Sequence, residues 1–269
     1  MLRRKLIRGA LSGLVVLAAS ACGGGGSAVL PPGPGPGPGP GPMPTTGPTV
    51  RQFATIDTQN SDGTQVLRVS LPQPTLAGSV LFAWSRSAID GQTENFARFT
   101  DDRGNAWIPT GDTESDPSLL VNAAQGTAYA VNVAAGTQEI TATWTPFGDF
   151  RSIIVVEISG VSAQPFLASA SNIQTVAAGT DNIRSGPFNV SAAPALIVAI
   201  SSNESQVNGP PFAPLAGTGY TSLAATTSYG MGNSFTRLTA RQTTTTGSQE
   251  ALFSAPVGDE YLTFAAVFR

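Results

Sequence analysis

From Val50 onward, apolar and polar positions follow one another in short runs, each closed by turn residues. That is the period-two pattern of β-strands with one face buried. It predicts strands over 65–71 (QVLRVSL), 79–87 (SVLFAWSRS), 96–101, 105–110, 127–133, 138–145 (QEITATWT) and 151–159 (RSIIVVEIS). Further strands are predicted over 166–175, 184–190, 195–202 (ALIVAISS), 220–229, 234–242, 249–254 and 261–268 (YLTFAAVF). Gly78, Asp102-Arg103-Gly104-Asn105, Ala135-Gly136-Thr137 and Thr246-Gly247 supply turns between them. The runs Ile153 to Val156 and Ala195 to Ile200 are apolar throughout, as suits central strands. Helix periodicity is nearly absent. The expected fold is all-β: an antiparallel, jelly-roll-like β-sandwich.

The body also reads as two pseudo-repeated halves, about 53–160 and 166–269. SVLFAWSRS (79–87) parallels ALIVAISSN (195–203), and GDFRSIIVVEI (148–158) parallels GDEYLTFAAVF (258–268). In the second pair Ile154, Val156 and Ile158 share one strand face, matched by Phe264, Ala266 and Phe268. Two architectures fit: two tandem sandwiches, or one larger sandwich in which each half supplies strands to both sheets. No charged or proline-rich linker separates the halves near 160–166, which favours a single jelly-roll-like domain over 50–269.

Ahead of the body the pattern changes twice. Arg3, Arg4, Lys5 and Arg8 precede an apolar run from Leu11 to Ala19, closed by small residues up to Ala21. This has the parts of an export signal over 1–21, and its apolar run is shorter than the roughly 20 residues a membrane span needs. Cys22, the one cysteine, follows directly. Ala19-Ser20-Ala21-Cys22 resembles a bacterial lipobox, with Ala19 where leucine is usual. The resemblance implies a lipid on Cys22 as the first mature residue and attachment to the membrane. Gly23 rather than Asp follows it, which implies the outer membrane in a Gram-negative cell. Ala19-x-Ala21 equally fits ordinary cleavage, which would give a secreted protein. Residues 22–49 then form a tether in which Gly and Pro alternate from Pro31 to Pro44. Proline fixes φ and removes a donor, so this tract is expected to be extended and unpaired, at up to about 3.1 Å per residue.

Charge narrows the partners. Beyond Cys22 there are 17 acidic and 10 basic residues, a net of −7, with no lysine and no histidine. No basic patch remains to neutralise phosphates, so nucleic acid is excluded as an expected partner. Without histidine the chain lacks the commonest general base and metal ligand. No Gly-x-Ser-x-Gly elbow is present, and no phosphate-binding glycine loop opens a helix.

FTDDRGNAWIPTGD (99–112), TAYAVNVAAGTQEITATW (127–144) and FRSIIVVEISGV (150–161) resemble a β-sandwich module that recurs in secreted and surface proteins of bacteria. The resemblance covers most of 53–269. It implies the fold and an envelope setting, and it brings no assigned activity.

Three sets of side chains are candidates for chemistry. Asp101, Asp102 and Asn105 offer oxygens to a calcium ion, or else make an Asx-type hairpin turn around Gly104. Trp107, Tyr129 and Tyr220 offer a face for stacking sugars, whereas the strand phase of Trp84 and Trp144 places them in the core. Glu157 is the single acid in an apolar strand. It is either a carboxylate for glycan hydrolysis or lysis, or a structural acid satisfied by an arginine or a loop backbone. No catalytic set is complete and no cofactor beyond calcium suggests itself. The expected function is therefore a lipid-anchored binding or structural module for a polysaccharide or surface protein, the alternative being a carboxylate-based hydrolase or lyase.

Overall fold

Every regular element among the described residues is a β-strand. The computed structural model describes residues 47–58, 65–89, 96–114, 122–145, 149–177, 179, 182–203, 212–228 and 234–269. The leader, Cys22 and the tether through Thr46 lie outside them.

The first half contributes β1 (Thr49–Asp57), β2 (Val66–Ser70), β3 (Val80–Ile89), β4 (Arg98–Asp101), β5 (Trp107–Glu114), β6 (Asn122–Ala130), β7 (Glu139–Thr143) and β8 (Asp149–Ser159). They build a five-stranded antiparallel sheet, order β1-β8-β3-β6-β5, and a three-stranded sheet, order β2-β7-β4. The second half contributes β9 (Phe166–Val176), β10 (Asn182–Arg184), β11 (Phe188–Val190), β12 (Ala195–Asn203) and β13 (Thr221–Ser228). It ends with β14 (Ser234–Thr243), β15 (Gly247–Gln249), β16 (Leu252–Ser254) and β17 (Asp259–Phe268). Its five-stranded sheet has the order β13-β14-β12-β17-β9, with β10-β16 and β11-β15 as separate two-stranded ribbons.

The antiparallel β-sandwich expected from the pattern is the fold, but its sheets are composed differently from the favoured reading. Each five-stranded sheet is drawn from one half of the chain; the halves exchange no strands between these two sheets. The reason is in the pairing. β1 closes on β8, β2 on β7 and β3 on β6, three nested pairs of a rolled-up ribbon. In the second half β9 closes on β17, the first strand on the last. Each half thus satisfies its own ladders before the chain crosses at Gly160–Pro165. Both halves remain within one compact unit, Thr45–Arg269.

Three cores stack through that unit. Val80, Phe82, Trp84, Ile154, Val156 and Ile158 of the first large sheet meet Leu196, Val198, Ile200, Leu238, Phe264 and Phe268 of the second. Phe82 lies 5.8 Å from Phe264 and 5.7 Å from Phe268, ring centre to ring centre. Leu81, Ala83, Ile153 and Val155, on the reverse face of the first large sheet, pack against Leu67, Val69, Phe99, Ile140 and Trp144. Ile197, Ala199, Ala265 and Val267, on the reverse face of the second, pack against Ile183, Phe188, Val190 and Phe253. The result is four layers of strand with three apolar interiors. Central strands covered on both sides must be apolar at every position, which explains the unbroken runs. β12 is buried along its whole length. At about 1.5–3 kcal/mol for each large side chain removed from water, the central interior is a major term in stability.

All the predicted strands are present, with 184–190 and 249–254 each divided in two. β1 was not anticipated from the pattern. Its register shifts between Val50 and Gln52, so the alternation is broken where it would have signalled a strand. The body also begins earlier than the composition suggests: Pro48 is buried, and its carbonyl accepts a hydrogen bond from Gln242 Nε2 at 3.0 Å.

Candidate functional site

Glu157 stands on β8 with none of its surface exposed. Its Oε2 accepts from Arg51 Nη1 at 2.5 Å and Gln52 Nε2 at 2.6 Å, and its Oε1 accepts from the Leu76 amide at 2.8 Å. Arg51 and Gln52 also hold the chain after β2: Arg51 Nη1 donates to the Pro74 carbonyl, and Gln52 exchanges two hydrogen bonds with the Gln73 backbone. A buried carboxylate is tolerated only when paired and bonded in this way. Its partners are a guanidinium, an amide and a backbone N–H, so no second acid shares a proton with it. Glu157 works as a bolt joining β1, β8 and the 72–78 connection.

The Asp101 turn is bonded throughout. Asp101 Oδ1 accepts from Arg103 N (2.9 Å), Asn105 N (3.2 Å) and Asn105 Nδ2 (3.1 Å), and Oδ2 accepts from Trp107 Nε1 (2.8 Å). Those four donors use the roughly four acceptor sites a carboxylate has. Asp102 accepts from Gln138 N at 3.1 Å, and Asn105 Oδ1 from Ala134 N at 2.9 Å. The turn needs positive φ at Gly104, which takes +72°. The three residues thus tie the β4–β5 connection to the turn before β7. Among the described residues no group of three or more acidic, histidine or cysteine side chains is placed to hold a metal.

The three aromatic candidates do not share a surface. Trp107 is half-buried, tilted on Phe99 at 5.6 Å and packed on the outer core of the first half. The hollow beside it measures about 70 Å³, well below the 300–1,000 Å³ of small-molecule sites. Tyr129 stacks on Phe166 at 4.6 Å and belongs to the central core. Tyr220 packs on the outer core of the second half, with the Arg241 guanidinium 4.7 Å over its ring. Burial, offset in part by Arg241, pushes its hydroxyl up to about 12. Trp84 and Trp144 are fully buried, as their strand phase requires.

A different set of polar residues meets in the central interior. Pairing aligns Asp57 (β1) with Ser152 (β8), Ser152 with Arg86 (β3), and Arg86 with Gln125 (β6). They form one transverse row on the face that carries Trp84 and Ile154 one row inward and Phe82 and Val156 beyond. On the facing sheet Thr226 (β13), Thr236 (β14), Ser202 (β12) and Leu262 (β17) form a second row. Glu260 follows one row further out on β17. One end of the central interior is therefore apolar and the other polar. Arg86, Gln125, Ser152, Ser202 and Thr236 are buried, while Asp57 and Thr226 are half-buried at the seam between β1 and β13.

This row is incompletely bonded. Thr236 donates to Ser202 at 3.0 Å, and Trp84 Nε1 donates to Gln125 Oε1 at 3.0 Å, which fixes the Gln125 amide. Gln125 Nε2 has no hydrogen-bond partner among the described residues. Burial raises the Asp57 carboxyl above its ordinary 3.8, and hydrogen bonds from the Ser152 and Thr226 hydroxyls together with the Arg86 charge pull it down by less. The two hydroxyls are the hydrogen-bonding neighbours of that carboxylate.

Sequence reasoning missed this row because its members come from four separate strands. The available signal was the common polar ending of two matching apolar runs, Ser85-Arg86-Ser87 after Val80–Trp84 and Ser201-Ser202-Asn203 after Ala195–Ile200. Comparisons with protein-family models, curated proteins and solved structures found no match.

Proposed function

We propose that this chain is a cell-envelope lipoprotein, anchored through a lipid on Cys22, whose β-sandwich is a binding or structural module held off the membrane by the Gly-Pro tether. One observation carries the non-catalytic reading. The acid that hydrolysis or lysis would call on first, Glu157, has both oxygens committed to backbone and side-chain donors. A general acid or nucleophile must exchange protons or electrons with substrate, and a carboxylate bolted by three donors inside a sheet reaches none. The anchor is supported by the lipobox-like Ala19-Ser20-Ala21-Cys22, and the spacer by the Gly-Pro alternation after it. Polysaccharide or a surface protein is the proposed ligand class, and outer-membrane placement follows from Gly23 if the cell is Gram-negative.

The test is retention of the full chain on envelope and extracellular polysaccharides, with release of reducing ends and of unsaturated products followed in the same tubes. The reading expects retention without release, and loss of membrane association for Cys22→Ala. Release that disappears in Glu157→Gln would replace it with the hydrolase or lyase reading.

A further inference from the structure

At the Thr49 end of β1, the far end from Asp57, the seam between β1 and β13 opens into a cleft of about 220 Å³. Val50, Leu196, Leu223 and Ala240 line it with apolar side chains that border the central interior. Gly219 and Arg241 line it at the start of β13. The space has a plain origin in the side chains. β14 fills the interior with Leu238 further in, and offers only Ala240 here. Gly219 takes a φ of +76°, and a Cβ there would come within 3.3 Å of Arg241 Cδ, so the position stays open as glycine.

Arg241 is the one charged residue lining the cleft, and no acid lines it. The guanidinium donates from Nη1 to the Thr218 carbonyl at 2.8 Å and from Nη2 to Gln249 Oε1. Both acceptors are neutral. Its Nε has no hydrogen-bond partner, and among the described residues no carboxylate pairs with it. Tyr220, between the lining Gly219 and the first residue of β13, holds its ring 4.7 Å from the guanidinium, and its buried hydroxyl has no partner either. A half-buried cation beside two unbonded donors is a place where a counter-charge is missing.

The chemistry narrows the occupant. Apolar walls disfavour a sugar, whose hydroxyls would find few partners on them. The uncompensated guanidinium selects an anion, and a carboxylate matches its planar donors. Size selects the length. A dry apolar cavity of roughly 150 Å³ holds benzene, and drug-sized sites run to about 300–1,000 Å³, so a chain of about six to eight carbons falls between.

We propose that this cleft binds a free medium-chain fatty acid, its chain against Val50, Leu196, Leu223 and Ala240 and its carboxylate at Arg241. The site is additional to the polysaccharide or surface-protein reading above and does not rest on it.

The experiment is calorimetric titration of the full chain with octanoate, hexanoate and octylammonium. Wild type, Arg241→Gln and Leu223→Ser are compared, and the midpoint of thermal unfolding is read for each to show that the fold is kept. The proposal expects saturable binding of octanoate, about four-fold weaker binding for each methylene removed, and none of octylammonium. Each variant should weaken octanoate about ten-fold, the one through the head and the other through the chain. Should either variant lose its thermal transition, the head-group and chain-length comparisons on wild type decide alone. Octylammonium binding as tightly as octanoate would overturn the proposal, because charge would then play no part. Unchanged affinity in both variants would place the ligand elsewhere and overturn it too. Absence of saturable octanoate binding to wild type would overturn it and leave the polysaccharide or surface-protein reading where it stands.

Discussion

Two acids on neighbouring strands of one sheet meet opposite fates. Glu157 on β8 faces the outer side of the first large sheet and is wholly buried, yet three donors close on it. Asp57 on β1 faces the central interior and is only half-buried, yet two neutral hydroxyls and the Arg86 charge do not offset its burial, and its carboxyl is held above its ordinary value. The deeper acid is the one met by a guanidinium, an amide and a backbone N–H. Burial by itself therefore does not decide how a carboxylate fares; the donors that meet it do. The physical reason is that desolvation costs the same whatever follows, and only local donors decide whether it is offset.

That contrast is most easily broken at Glu157. Glu157→Ala leaves Arg51 without its carboxylate and frees the 72–78 connection. We expect a loss of about 3–5 kcal/mol in unfolding free energy by urea titration, the range for breaking a buried pair. A loss below about 1 kcal/mol would mean that the bolt is ornamental. Asp101 gives a smaller effect of the same kind. Asp101→Ala removes the acceptor for Arg103, Asn105 and Trp107, and should cost about 1–3 kcal/mol by the same titration. Because its oxygens are already taken, wild-type thermal stability should not move on adding calcium or a chelator. A rise with calcium that Asp101→Ala abolishes would return the turn to the metal reading. Asp57 should respond in the opposite direction: Asp57→Asn is expected to raise stability at neutral pH, since it removes a charge the fold disfavours.

How much of this was legible in the sequence differs between the same two regions. Strand existence was read well, because alternation is local: the face shared by Ile154, Val156 and Ile158 does meet that of Phe264, Ala266 and Phe268. Trp84 and Trp144 were placed correctly by the same periodicity. The partners of Glu157 were legible in kind, an arginine and a loop backbone, but not by name. Arg51 and Gln52 sit where β1 shifts register, and that strand was not visible in the pattern. The polar row was illegible for a deeper reason. Positions 57, 86, 125 and 152 become neighbours only through long-range pairing, and no spacing in the chain encodes it. Nor did the pattern show that each half would close its own large sheet, since both architectures use the same strands. The grouping of Trp107, Tyr129 and Tyr220 failed likewise: each aromatic is amphipathic in its strand, but each packs on a different core.

The central claim is that the donors around Asp57 in the seam between the two large sheets, the Ser152 and Thr226 hydroxyls and the Arg86 charge in its own row, do not offset its burial, with Glu260 on β17 as the charged residue of the facing sheet. It is tested most directly by the unfolding free energy of wild type and Asp57→Asn between pH 7 and pH 3. A carboxyl raised in the folded state contributes stability that is fully present below its unfolded value of 3.8 and is lost as pH rises through its folded value. The account predicts that Asp57→Asn is the more stable protein at pH 7, and that the difference closes as the pH falls and wild type takes up its proton. An Asp57→Asn protein less stable than wild type at pH 7, with the gap shrinking on acidification, would show a well-bonded carboxylate and contradict it.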